Sequence, residues 1–358
     1  MQIPSISFGQ CNRGSHQASR RRFSVNKNNK TAQKTTTNLP KSSKRNSSQL
    51  SYDSQVQTYS MYVAPTITNP TPENVIKNLE RYSNIPCPYC GQEMLAKPHR
   101  NMICQQLKNA KGDEIIKILK TNKKYLNNVK LSIAGDIANI AKIKPNLNLS
   151  QILNVMYPKS LITLKKQQSQ TLEKIYSKYK SQYKDISDKK KLLDFVTIGY
   201  NTINQANGTF KRTLFIDTFN SMLDAMNDQE VTSKLRKDLN KFPSSVTNKN
   251  AFIVKYATKD SKEIATFLFY EKTATLEHIK PQSEGGLTEP NNLLIACAED
   301  NSDRSCMPLD EYLEKNNFEE TLKQYISKVK SLGPYNDYCK AILNSIKIET
   351  KEKLDLTT

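Results

Sequence analysis

The stretch "TLEHIKPQSEGGLTEPNNLLIACAEDN", residues 275–301, constrains local folding more tightly than any other part of this 358-residue chain. An apolar-rich run leads to Ile279, a polar turn carries Gly285 and Gly286, and a second run, "NNLLIA", is followed by Asp300, Asn301 and Ser302. Glycine allows the backbone conformations that reverse a chain tightly. Asp, Asn and Ser accept the free N–H groups of a first helical turn. The order predicts a strand ending near Ile279, a reversal, a second strand, and a helix starting around Asn301. The Asn301 side chain is then expected to face back toward the strand.

On either side the hydrophobic period changes. "PENVIKNLERYSN", from Pro72, has the spacing of one short helix, ended before "IPCPYCG" by Pro86 and Pro88. From 105 to about 240, Ile, Leu, Val and Tyr recur every three or four residues, which predicts a layer of amphipathic helices. "AFIVKYA" and "EIATFLFYEKTATLEHI" are β-branched and aromatic and read as strands. The helical period returns after Pro308, a residue suited to a helix start. The fold class expected is α+β, a small β element embedded in a mostly helical chain.

Fifty-four Lys and Arg against 34 Asp and Glu give a formal charge of +20, which favours a polyanionic partner, nucleic acid first. The first 60 residues carry ten of these cations, Arg13 to Arg45, against Asp53 alone. They lack the periodic apolar residues that could offset the entropy of ordering them. Residues 1–65 are therefore expected to form a disordered basic tail. No run of about 20 apolar residues suggests a membrane span, and no signal-peptide pattern opens the chain. A soluble, cytoplasmic protein is expected.

Taken together, Glu277, His278, Ile279, Pro281, Gly285, Gly286, Asn292, Leu293 and Asn301 resemble the motif of the HNH endonuclease family. The resemblance implies the ββα-metal fold over roughly residues 270–315 and a nuclease module over 246–320. Under it His278 is the general base, and Glu277 and Asn301 hold a catalytic Mg²⁺ or Mn²⁺. Asn292 is the family's structural asparagine, tying the loop backbone and orienting the base. The chemistry agrees with these residue types. Phosphodiester hydrolysis needs a proton acceptor for water and a cation to absorb phosphoryl charge. A neutral imidazole suits the first task, and hard oxygen ligands suit Mg²⁺. Arg304, one turn beyond Asn301, is a candidate phosphate contact or a solvated charge. Successive residues of a regular strand point to opposite faces, so Glu277 and His278 can share a site only if the strand end bends.

Seven cysteines, an odd number scattered along a long chain, argue against a disulfide framework. "CPYC", residues 87–90, has the shape of a zinc knuckle, with Gly91 permitting the turn. Compact HNH proteins pair such a knuckle with a second CxxC merging into the motif; here Cys297 fits the first position and Asp300 stands in the second. The fourth ligand beside Cys87, Cys90 and Cys297 is open between Asp300 and Cys306, and His99 with Cys104 could instead close a local site. Cys11 and Cys339 read as incidental. A long stretch separates Cys90 from Glu277, so residues 105–245 are expected to be a helical insertion between a helix-plus-knuckle segment (66–104) and the nuclease module, with further helices over 321–358.

The leading expectation is a metal-dependent endonuclease acting on DNA. The alternatives are a zinc-stabilised nucleic-acid-binding protein without catalysis and a nuclease toxin.

Overall fold

The computed structural model describes residues 74–205, 219–239, 241–305, 307–313 and 318–350. The expected basic tail at 1–65 lies outside them, as do Cys11 and Cys306. The described chain is mostly helical with one small antiparallel sheet.

A short helix, α1 (Val75–Leu79), leads into the CPYC turn. There Gly91 N donates to Cys87 O at 2.9 Å, and Gly91 takes a φ of +70°, a conformation glycine adopts without a Cβ clash. Among the described residues before 260 follow the helices α2 (Lys97–Asn109), α3 (Gly112–Thr121), α4 (Asn128–Ile143), α5 (Leu149–Lys180), α6 (Ile186–Gln205), α7 (Gln229–Leu239) and α8 (Lys249–Tyr256). Their starts have local causes. Asn127 accepts from Lys130 N, and Asn148 forms a capping box with Gln151 at the head of the 32-residue α5. Leu172, Ile175, Tyr179, Leu192, Phe195, Val196 and Leu235 build a separate helical core from α5, α6 and α7.

Two segments expected to be strands are helices. "AFIVKY" lies in α8, capped by Asn248, which accepts from both Asn250 N and Ala251 N. "EIATFL" lies in α9 (Ser261–Leu268), capped by Asp260, which accepts from Glu263 N. Helix α8 is buried on nearly every side, through Ala251, Phe252, Ile253, Val254 and Tyr256, so its sequence has no polar face to reveal a helical period. The helical layer therefore runs to Leu268, and the β element begins only at Ala274.

Strand β1 (Ala274–His278) pairs antiparallel with β2 (Leu293–Cys297), in the register Ala274 to Cys297 and His278 to Leu293. The turn between them needs both glycines. Gly285 sits at φ +84°, and a Cβ on Gly286 would meet Lys280 O at 1.9 Å. Helix α10 (Ala298–Arg304) follows directly, then α11 (Leu309–Leu313), α12 (Phe318–Leu332) and α13 (Asn336–Thr350).

A two-stranded sheet has two open edges, which side chains and a passing backbone segment satisfy here. On the β2 side, Tyr325 OH accepts from Ile295 N at 3.3 Å and Tyr338 OH donates to Leu293 O at 2.9 Å. On the β1 side, Ala274 N donates to Leu95 O at 2.9 Å, and Asn301 and Arg304 take the carbonyls of Leu276 and His278. One core joins α1, the CPYC turn, the hairpin and the C-terminal helices, although these are far apart in sequence. Lys130 on α4 joins the helical layer to Glu271, just before β1. Its ammonium is 1% exposed and lies 3.2 Å from Glu271 Oε1, 3.0 Å from Ser245 O and 3.9 Å from the centre of the Phe252 ring.

Candidate metal centre and active site

The two ends of the long-range core bring four ligands together. Cys87 and Cys90 come from the turn after α1, Cys297 from the end of β2, and Asp300 from the first turn of α10. Their ligand atoms lie within 4.8 Å of one another, so the four could hold a metal ion. Asp300 Oδ2 is 3.0 Å from both Cys87 Sγ and Cys297 Sγ, and Cys90 Sγ is 4.0 Å from Cys297 Sγ. Thiolate-to-metal bonds of about 2.3 Å in a tetrahedron separate two sulfurs by about 3.7 Å, close to that spacing.

The electrostatics of the cluster suit a cation. Hydrogen bonds from Cys297 and then Cys87 draw the Cys90 thiol down to about 2. Burial pushes Cys87 well up, hydrogen bonding with Cys87 and Cys90 raises Cys297, and burial lifts Asp300 to about 6. Four acidic groups in so small a space cannot all ionise without a counter-charge, and a bound metal supplies one.

Of the three completions open in the sequence, the structure assembles the one with Asp300. His99 instead has Nδ1 2.8 Å from Ser83 Oγ, and Cys104 lies 3.6 Å from Thr266 Oγ1. Cys297 has a second duty that the sequence did not suggest: it is the N-cap of α10, its sulfur accepting from Asp300 N, so Asn301 sits inside the helix rather than at its start.

The second group of expected site residues surrounds the hairpin. Asn292 ties the loop together, with Oδ1 accepting from Lys280 N at 2.8 Å and Nδ2 donating to Lys280 O at 3.1 Å and Leu287 O at 2.8 Å. His278 is half-buried at the end of β1, its Nε2 3.1 Å from Thr288 Oγ1, and Gln282 Nε2 donates to the same hydroxyl at 3.0 Å. Burial, helped by the Arg304 charge, holds its pKa below the usual histidine value. Thr288 and Gln282 have no distinctive spacing in the sequence and could not have been found there.

Glu277, Asn301 and Arg304 are arranged differently from expectation. Arg304 is not a solvated charge. It is 1% exposed, its guanidinium gripping the Glu277 carboxylate and donating to His278 O at 2.5 Å and Ile279 O at 2.6 Å. Glu277, 3% exposed, points inward to this pair while His278 faces Thr288, as strand alternation requires. Burial pushes the Glu277 carboxyl up to about 7 against the pull of Arg304. Asn301 Nδ2 does turn back to β1, donating to Leu276 O at 2.6 Å and Thr275 Oγ1 at 3.1 Å. Glu277 thus faces a guanidinium, an arrangement the sequence did not suggest, and the Asn301 amide nitrogen faces the β1 edge.

The chain matches no family model, no curated protein and no solved structure.

Proposed function

We propose that this chain is an HNH-type endonuclease that hydrolyses DNA phosphodiester bonds, with His278 as general base and zinc in the four-ligand centre. The observation that carries the reading is the placement of His278, half-buried at the end of β1 with Nε2 3.1 Å from Thr288 Oγ1. Burial lowers its pKa from the usual histidine value. In the tautomer whose Nε2–H donates to Thr288, Nδ1 carries the lone pair that can take a proton from water as the water attacks phosphorus. Asn292 supports the same reading, because its three hydrogen bonds fix the loop that carries Thr288. The charge of +20 draws a phosphate backbone to the protein.

Zinc is the ion best matched to three thiolates and a carboxylate in a tetrahedron, since soft sulfur ligands disfavour Mg²⁺ and Ca²⁺. Such a centre is structural: it staples α10 to the CPYC turn and supplies no open position. The Mg²⁺ or Mn²⁺ of the resemblance could reach Glu277 only against the Arg304 guanidinium that faces it.

A zinc-stabilised nucleic-acid-binding protein without catalysis is the second reading, favoured by the engagement of Glu277 and Asn301 within the fold. Plasmid nicking separates the two. Wild type should nick supercoiled DNA, and His278→Ala should lose roughly 10²- to 10⁴-fold in rate. Equal rates for the two proteins would sink the nuclease reading. Salt-sensitive DNA binding with no cleavage under any divalent ion would establish the second.

A further inference from the structure

The Arg304–Glu277 pair is built with unusual care and yet is incompletely satisfied. One guanidinium holds three oxygens, the Glu277 carboxylate and the carbonyls of His278 and Ile279, which is a task a small cation could share. Beside it Arg304 Nε is buried with no hydrogen-bond partner, and the buried Tyr89 hydroxyl lies against both members of the pair. Buried groups left unpaired are costly and mark places where an arrangement is not at its optimum. Tyr89 belongs to the CPYC turn itself, so the pair abuts the metal centre's own loop.

We propose that Arg304 is the resident cation of the Glu277 carboxylate, so that a divalent ion reaches Glu277 only by displacing the guanidinium. Two cations cannot neutralise one carboxylate in the same place, and the guanidinium is tethered there at high local concentration. The competition is a coupling between Arg304 and the ion, and such couplings are commonly 5- to 150-fold in affinity. The inference rests on the arrangement of Glu277 and Arg304 and stands apart from whether the protein cuts DNA.

The experiment is Mn²⁺ binding followed by electron paramagnetic resonance on full-length, zinc-loaded protein, with no nuclease readout. Wild type should bind Mn²⁺ weakly at best, and Arg304→Gln should bind it at least about tenfold more tightly, within the range of such couplings. Adding Glu277→Gln to Arg304→Gln should abolish the gain. The proposal is overturned if wild type already has a tight Mn²⁺ site that Glu277→Gln removes, or if folded Arg304→Gln binds no better than wild type. Should Arg304→Gln not fold, Arg304→Met replaces it, because it removes the positive charge while keeping a long unbranched side chain to fill the buried space. That variant must show the same gain in Mn²⁺ affinity, and its absence overturns the proposal equally. A protein that passes this test but never nicks DNA refutes the proposed function and leaves this inference intact.

Discussion

The hairpin end and the helical layer are held together in opposite ways. In the helical layer the forces are local: Asn127, Asn148, Asn248 and Asp260 cap the helices that follow them, and Leu172, Ile175 and Tyr179 recur along one face of α5. In the hairpin end almost every decisive contact is distant in sequence. Cys87 meets Asp300, Leu95 meets Ala274, and β2 is edged by tyrosines from α12 and α13. Strands of five residues cannot stand alone in water. The candidate chemistry sits on the part of the molecule least able to fold by itself, beside a four-ligand cluster that could hold a metal ion and covered by helices from elsewhere.

That contrast can be broken most severely at the metal centre. Structural zinc contributes about 10–16 kcal/mol of apparent binding energy in small domains, and that energy is folding energy. Chelation, or Cys297→Ser, is expected to strip the metal and expose the amides of β1 and β2 to hydrogen exchange while α5–α7 keep most of the far-ultraviolet helical signal. Loss of the whole helical signal at the same chelator concentration would show that the two regions form one cooperative unit.

A smaller effect tests the joint between them. Lys130→Met leaves Glu271 buried without its cation, and Glu271 Oε2 already lacks a hydrogen bond. Breaking such a pair from one side typically costs about 3–5 kcal/mol. Urea denaturation should show that loss, and adding Glu271→Leu should recover much of it. A loss below about 1 kcal/mol, the range of exposed pairs, would mean the two regions are not coupled there.

The smallest expected effect is confined to the helical layer. Asn148→Ala removes the capping box of α5 and should cost about 1 kcal/mol. Thermal melting should register it, while the imidazole signals of His278 in nuclear magnetic resonance stay in place. A shift of those signals would mean that local capping in the layer reaches the hairpin.

Much of the hairpin was legible in the sequence because it depends on near neighbours: the reversal at Gly285 and Gly286, a strand ending near Ile279 and the loop held by Asn292. The joining of Cys87 and Cys90 to Cys297 was suggested by residue type alone, with the fourth ligand left open until the fold placed Asp300 beside them. The mistaken strands at "AFIVKY" and "EIATFL" have a physical reason. "AFIVKY", buried on nearly every side, has no period to read, whereas α9 does bury Ile264, Ala265 and Leu268 at helical spacing, a signal overlooked together with the caps Asn248 and Asp260.

The sequence by itself determined the helical character of the chain, its positive charge, the hairpin and three of the donors for a metal, because periodicity, charge and ligand chemistry act over short spans. Only the tertiary structure decided that Arg304 turns inward to hold Glu277 and that Asn301 caps β1. A long polar side chain can reach either solvent or the interior with nearly equal ease. Which it takes depends on whether folding has left buried oxygens that need a donor, and those oxygens lie more than twenty residues away along the chain.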